Sequence, residues 1–346
     1  MKVAAIQLEP RVGDVAANLD ACWRLGCAAG AAGARWIVLP ELFTTGMGFT
    51  PALAEQALSP RGPACALLLS LAQRHDAMVG GSFLCRDDDG HARNAFVLAG
   101  PDGVLGRHDK DLPTMWENCF YVGGADDGRM RAGELDVGAA VCWEFMRSAT
   151  AHRLRGLVDV VVGGSCWWSW PPWWPSALFR RIEAANAATA AVVAPAFARL
   201  VGAPVIHAAH CGAFDCAMPW LPGRYRGHYQ GGALICDATG TVRARRDAND
   251  GPGFVLADIE LARATPSDAI PARSWLHRRG ALNAVVWSYQ RLHGRRWYGR
   301  HGAQRPPLEI GWRTPADAAA PHPPRSPSIT AAITAASTAG GPVVPR

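Results

Sequence analysis

The ten cysteines of this chain include no CxxC pair, which removes the usual zinc-ribbon and dithiol-redox arrangements. The start, Met1-Lys-Val-Ala-Ala-Ile-Gln-Leu-Glu9, carries too short an apolar run for a secretory signal. Most cysteines lie inside apolar runs, as Cys65, Cys85 and Cys236 do, so free thiols in a reducing cytoplasm are expected. The longest apolar region, 184–206, is interrupted by Asn186, Pro195 and Arg199. It reads as a helix, a strand and a loop, and no segment reads as membrane-spanning. No repeat of solenoid period occurs. Charge is sparse, with 18% charged residues and a net of +6. The basic surplus gathers between Arg273 and Arg305 with no nucleic-acid-binding motif, so no nucleic-acid partner is expected.

What is present is apolar. Hydrophobic residues make up 49% of 346, enough for a large core. Lys2 to Leu8 reads as a buried strand, Asn18 to Ala34 as a helix, and Arg35 to Leu39 as a second strand. That order implies a βαβ unit with parallel strands, and it puts Glu41 just past a strand's carboxyl end. A carboxylate there is costly unless paired or used, although a capping role is the alternative. Arg61 to His75 reads as a helix and Ala77 to Leu84 as a strand broken at Gly80-Gly81. Arg93 to Ala99 and Val104 to His108 form a hairpin across Pro101-Asp102-Gly103. A loop with Lys110 and Glu117 follows, which by itself reads rather as an ordinary solvated turn. Glu134 to Arg147 then reads as a short apolar strand delivering Cys142. In open α/β sheets, sites gather at the carboxyl ends of strands. A buried core cysteine is the alternative.

Beyond Val158 to Val162, a strand, lies Gly163-Gly-Ser-Cys-Trp167-Trp168-Ser-Trp170-Pro-Pro-Trp173-Trp174-Pro175. It holds five of the chain's 14 tryptophans. Its prolines forbid a helix interior or central strand, so it reads as a rigid aromatic loop that walls a pocket, fills the core or meets another subunit. Leu178 to Ala188 reads as a helix and Thr189 to Val193 as a strand. Residues 200–226 read as loop, and their His207, His210, Cys211 and Cys216 match no standard zinc spacing. Closing strands follow over 231–237, 241–245 and 253–260. From Leu261 the character changes: Ala281 to His293 reads as an amphipathic helix, and beyond Pro315 the Ala, Pro, Ser and Thr composition argues disorder.

A carboxylate that can take a thiol's proton, a thiol that attacks as thiolate, and an ammonium that steadies developing negative charge form a coherent set. Glu41, Cys142 and Lys110 are those three. The motifs Leu39-Pro40-Glu41-Leu42-Phe43-Thr44-Thr45-Gly46, Asn94 with His108-Asp109-Lys110-Asp111-Leu112-Pro113-Thr114, and Val141-Cys142-Trp143-Glu144 resemble, in order, those of the nitrilase superfamily of carbon–nitrogen hydrolases. Arg181-Ile182-Glu183-Ala184-Ala185-Asn186 and Gly231 to Gly240 echo later segments of that family. The resemblance implies a four-layer α-β-β-α sandwich over residues 1–262, with 263–314 an extension packing on the core or a partner and 315–346 a disordered tail. It implies Glu41 as general base, Lys110 as oxyanion stabiliser, Cys142 as nucleophile and Glu117 as a second catalytic glutamate. No metal or organic cofactor is implied. Homodimers or higher homo-oligomers, and a small amide or nitrile substrate, are. Trp143, Trp167 and Trp168 are the expected substrate-binding residues, giving an apolar pocket for neutral substrates. Phe145 after Cys-Trp-Glu departs from nitrile-hydrolysing relatives, and the Arg-Phe-Pro-Glu run of many amidases is absent, so the residues leave amide and nitrile both open. A non-catalytic binding subunit on this fold is the alternative in another class.

Overall fold

The computed structural model describes residues 1–314 except 219–222 and 279. Its elements are β1 (Lys2–Leu8), α1 (Val15–Ala31), β2 (Trp36–Val38), α2 (Pro63–His75), β3 (Met78–Arg86), β4 (Ala92–Gly100), β5 (Gly103–Asp109), β6 (Arg129–Ala132), β7 (Leu135–Val141), α3 (Ser148–Leu154), β8 (Val160–Ser165), α4 (Ser176–Val201), β9 (Val205–His210), β10 (Ala213–Ala217), β11 (Arg224–His228), β12 (Gly231–Cys236), β13 (Val242–Asp247), β14 (Gly253–Asp258) and α5 (Ala281–His301). One compact unit runs from Met1 to Trp312.

A twelve-stranded sheet carries the order β5-β4-β3-β2-β1-β9-β8-β7-β6, with β14 on β1 and β12 bridging β9 and β13. The strands β2, β1, β9, β8 and β7 pair in parallel, so their carboxyl ends share one edge. The sheet folds back on itself. Val3, Ala5, Trp36, Val38 and Phe96 from one half share a buried cluster with Val137, Ala139, Val161 and Ile206 from the other. α1 and α2 cover the first half with Leu19, Leu67, Leu68 and Leu71. α3 and α4 cover the second with Leu154, Phe197 and Val201. The outcome is the four-layer α-β-β-α sandwich, with both layers of strands buried as helix-covered parallel sheets must be.

Three local readings are corrected. The region 184–206 is not helix, strand and loop. α4 continues unbroken from Ser176 to Val201 through Pro195, and is long and apolar enough to cross a membrane by length and composition, although its last third packs in the core. A helix-interior proline frees the carbonyl four residues earlier. Here that carbonyl, on Ala191, accepts from Arg245 Nη1 at 3.1 Å, and the alanine-rich run favours helix. Residues 200–226 are not loop but hold β9, β10 and β11. The histidines that disguised β9 are each bonded through one ring nitrogen: His207 Nε2 meets Ser165 Oγ at 2.8 Å and His210 Nε2 meets the Glu41 carbonyl at 2.6 Å. β3 is not broken at its glycines. They give room instead, since a Cβ on Gly81 would lie 2.8 Å from Leu39 Cβ and one on Gly80 2.6 Å from Phe96. The expectation for 315–346 lies outside the described residues.

The stretch after β14 lies along the core. Leu276 N donates to Met146 O at 2.7 Å, Ser148 N to Ser274 O at 3.2 Å, and Ala92 N to Tyr298 Oη at 2.8 Å. Trp287 and Tyr298 are buried. Ending the chain at Leu261 strips these contacts and exposes the apolar surface beneath them. Such a protein should be insoluble or lack a cooperative melt. A soluble, active truncation would overturn this, with light scattering and calorimetry as the measurements.

Candidate active site

Each candidate residue sits where a strand stops. Leu39 N still bonds Gly80 O at 2.7 Å; the chain then turns, and Leu42 N and Phe43 N are held by Ser82 at 3.1 and 2.9 Å. Glu41 is thereby fixed on the shoulder of β2. Lys110 follows β5, its N–H on Asn94 O at 3.0 Å. Cys142 opens the turn after β7. The two layers close on one another here: a Cβ on Gly164 of β8 would lie 2.8 Å from Pro40 Cα and 3.0 Å from Glu41 N. Only five non-glycine residues have positive φ among those described, and three of them are Leu42 (51°), Met115 (49°) and Cys142 (53°). The left-handed conformation is costly for such side chains and recurs at functional sites. Here it falls on the nucleophile candidate and beside two candidate glutamates.

The charges converge in full burial. Lys110 Nζ donates to Glu41 Oε1 at 2.8 Å and Glu117 Oε2 at 2.7 Å. Glu41 also accepts from Asn94 Nδ2 at 2.9 Å and from Cys166 N at 2.8 Å. Glu117 also accepts from Thr114 N at 2.7 Å and from the Tyr121 hydroxyl. Burial opposes the Lys110 charge, but Glu117 and Glu41 outweigh it and hold the ammonium well above its ordinary range. Burial lifts Glu117 to about 7. Burial, and then the charge of the nearby Glu41 carboxylate, keep Cys142 well above the ordinary thiol range. At rest the sulfur is protonated, with its base already at hand.

A second buried network sets the spacing between the lysine loop and the cysteine turn. Glu144 Oε2 accepts from Val141 N and meets His108 Nε2, both at 2.8 Å. Its Oε1 accepts from Asp111 N at 3.1 Å and Arg153 Nη2 at 2.9 Å. His108 Nδ1 meets Asp126 Oδ1 at 2.5 Å. One carboxylate thus grips the residue before Cys142 and the residues on either side of Lys110. Burial would lower the His108 pKa, yet Glu144 and Asp126 raise it to about 10. The same histidine and arginine hold Glu144 well below the carboxylate range despite burial.

A cavity of about 190 Å³ reaches Cys142. Trp143, Trp167 and Trp168 all line it, together with Trp116, Trp170, Trp173, Cys166 and Tyr225. Trp174, 88% exposed, stands outside it. Trp116 and Trp168 stack at 4.8 Å between ring centres. The loop is pinned from α4: Trp167 Nε1 donates to Asn186 Oδ1 at 2.9 Å, Asn186 Nδ2 donates to Trp168 O at 3.1 Å, and Trp170 N donates to Glu183 Oε2 at 2.5 Å. Glu183 and Asn186 lie in the Arg-Ile-Glu run that already echoed a family segment; that echo was the signal for their role. Asn94 also stood in a quoted motif. Nothing in the sequence marked Tyr121, Cys166 or the cavity residues on α5 for the site, and His210 was marked only as a zinc candidate. The four residues weighed for zinc part ways, with His207 on Ser165 and His210 on Glu41. Among the described residues no group of three or more His, Cys, Asp or Glu is placed to hold a metal.

The carbon–nitrogen hydrolase family model matches residues 2–269, and the chain belongs to that family. A nitrilase of Pyrococcus abyssi is 29% identical over 169 residues, 46% of this chain and 63% of that one. The omega-amidase YafV of Yersinia enterocolitica is 46% identical over 74 residues, 21% of this chain and 27% of that one. The matches therefore span less than two thirds of either relative. Among solved structures, XC1258 from Xanthomonas campestris, a CN-hydrolase superfamily protein with an arsenic adduct in its active site, aligns with a TM-score of 0.59 at 20% identity, covering 75% of this chain and 90% of that one. An amidase variant from Nesterenkonia sp. AN1, with acrylamide added at its active-site cysteine, aligns with a TM-score of 0.57 at 18% identity, covering 75% and 93%. Both show the fold.

The His108 pairing has a defined pH signature. A group whose pKa rises from about 6.5 unfolded to about 10 folded stabilises fully below the first value and loses that contribution as pH climbs through the second. The melting-temperature gap between the wild type and His108→Gln should be widest near pH 6 and should close by about pH 10.5. A gap that widened with rising pH would contradict a protonated His108.

Proposed function

We propose that this chain is a thiol hydrolase that opens a small non-peptide carbon–nitrogen bond, in an amide or a nitrile, through a covalent intermediate on Cys142. The observation that carries the reading is the buried Glu41–Lys110–Glu117 ion cluster set beside Cys142, whose side chain lines an apolar cavity. The Glu41 carboxylate stands close enough to the Cys142 thiol to raise its pKa, so attack and proton transfer can be concerted. Sulfur bonds the substrate carbon while Glu41 takes the thiol proton. The fixed Lys110 charge faces the negative charge that develops. With an amide, the tetrahedral adduct collapses as the amine takes a proton and leaves, and a thioester remains. With a nitrile the first adduct is a thioimidate, which adds one water and expels ammonia to reach the same thioester. Water deprotonated by Glu41 then attacks, the acid departs, and the proton returns to sulfur. Glu117, lifted to about 7, can hold or release a proton beside Lys110 at neutral pH.

A non-catalytic binding role leaves this cluster unexplained. Burying several ionisable groups costs several kcal/mol per ion before pairing repays it, and a binding face has no use for that cost. The lining favours neutral aryl or aliphatic substrates over dicarboxylate-derived amides, because indole faces offer little to a second charge. Ten free thiols fit a reducing compartment. Exposed Leu178 and Val192 on α4, and Val285 and Leu292 on α5, fit a homodimer or larger homo-oligomer, which sedimentation checks.

Mass spectrometry of amide and nitrile panels, reading acid product and adducts, tests the reaction. Cys142→Ala should fold and lose all turnover. Glu41→Gln should lower kcat by roughly two to four decades. Lys110→Ala leaves two buried carboxylates unpaired, at about 3–5 kcal/mol of stability, so circular dichroism must accompany it. Turnover surviving in Cys142→Ala would refute the mechanism.

A further inference from the structure

The family match ends at residue 269, yet the cavity does not. Asn283, Val286 and Gln290 of α5 line it alongside Cys142. Their spacing, i, i+3 and i+7, puts them on one helix face. α5 is fixed to the catalytic region at two points. Trp287 stacks on Trp143 with ring centres 5.3 Å apart and planes 8° from parallel. Lower down, Gly294 lies against the turn Met115–Cys119 that carries Glu117. A Cβ there would be 2.5 Å from Asn118 Cβ and 3.0 Å from Cys119 N, so only glycine allows the approach. The wall is therefore registered against both the nucleophile's neighbour and the second glutamate.

The chamber it closes has a definite character. About 190 Å³ exceeds the roughly 150 Å³ of an apolar cavity that takes up benzene. Trp116 and Trp168 supply flat faces, with Tyr225 edge-on to Trp116 at 5.0 Å. The polar side chains on its wall are mostly committed. Asn186 is engaged at both amide atoms, and Ser169 Oγ accepts from His228 N. Thr114, three residues from Glu117, belongs to the catalytic turn. Thr114 Oγ1, Trp116 Nε1 and Gln290 Oε1 are shut off from solvent with no hydrogen-bond partner among the described residues, and of these three Gln290 alone lies on α5. Buried acceptors without partners are rare in folded proteins, and a rotation about the last torsion of Gln290, which is soft, turns the amide toward the cavity.

We propose that α5 is the specificity-determining wall of the substrate pocket, with Val286 setting its width and Gln290 selecting a small aryl substrate that carries one hydrogen-bonding group. This rests on the reading of Cys142 as the nucleophile of a carbon–nitrogen hydrolase. The substrate class follows from the surfaces. Indole faces take a flat ring, the absence of a spare charge on the wall disfavours an ionic substituent, and a single amide matches a hydroxyl or ring N–H.

The test uses the full-length Cys142→Ala protein, which binds without turnover, and tryptophan fluorescence with benzamide, 3-hydroxybenzamide and 4-hydroxybenzamide. One hydroxylated isomer should bind about tenfold tighter than benzamide, one hydrogen bond's worth. Adding Gln290→Met, which keeps length and removes the amide, should erase that preference and leave benzamide within about twofold. Adding Val286→Phe instead should weaken all three at least tenfold, since a ring then occupies the slot. Circular dichroism melts establish that each variant is folded, and Gln290→Glu stands in should the methionine variant fail to fold; it should weaken benzamide binding by adding a charge to an apolar wall. Equal binding of the three ligands, a preference that survives Gln290→Met, or no saturable binding at all would overturn the proposal. Turnover of the same amides by the wild type is read separately. Binding as described without turnover on any amide or nitrile sinks the hydrolase reading and spares the pocket assignment; turnover without the binding pattern does the reverse.

Discussion

One buried ammonium holds this site together. Lys110 lies out of reach of water between Glu41 and Glu117, and an uncompensated charge there would be untenable. Two carboxylates against one cation leave an excess of negative charge, which Asn94, Tyr121 and the N–H groups of Thr114 and Cys166 absorb as hydrogen-bond donors. The four donors come from three parts of the chain, so the ion cluster is also the point where β4, the Glu117 turn and the loop after β8 are brought into register. The choice of cation is informative. The chain has 35 basic residues, of which two, Lys2 and Lys110, are lysine, leaving 35 − 2 = 33 arginines. A guanidinium is a planar fork that pairs best edge-on with one carboxylate. A compact ammonium can sit between two carboxylates and still present a third N–H elsewhere. An arginine-rich chain keeps a lysine where that geometry is needed.

The cluster fixes what surrounds Lys110 but not its distance from sulfur. Glu144 does that. It bonds the backbone on the strand side of Cys142 and on the far side of Lys110, and His108 with Arg153 keep it ionised. The positive φ angles at Leu42, Met115 and Cys142 belong to the same economy of structure. Strained backbone persists only where surroundings over-determine it: Thr114 N beside Met115 and Val141 N beside Cys142 bond into these two networks, while Leu42 N and Phe43 N bond Ser82.

How much of this was legible in the sequence follows from the kind of information each feature needs. Glu41 and Cys142 were readable because a buried parallel strand is a short apolar run, and a polar residue at its end has few places to go. The wall residues Trp143, Trp167 and Trp168 were readable from a tryptophan-rich, proline-broken loop after such a strand. Their fixing was not. Asn186 and Glu183 reach them from a helix whose own continuity depends on Arg245, 54 residues past the carbonyl that it caps. β9 was misread for the same reason. Its histidines look like loop residues until Ser165 and the Glu41 carbonyl are seen to bond one ring nitrogen of each. Local pattern gives the position of a group; its partners are set by topology, and pKa, strain and role all lie with the partners.

The aromatic residues show why a division into core and pocket fails here. Trp143 meets Trp167 at 5.7 Å, Trp275 at 5.6 Å and Trp287 at 5.3 Å, yet it also borders the cavity beside Cys142. Burial of rings this size contributes a few kcal/mol each, so the same indole that lines the cavity stabilises the turn holding Cys142. Two of its three ring partners come from beyond residue 269, outside the family match. An extension that packs on the nucleophile's neighbour cannot be optimised for stability without moving the pocket wall. Stability and selectivity are therefore coupled through Trp143. The conserved chemistry of such a family can stay fixed while an added helix changes what reaches it.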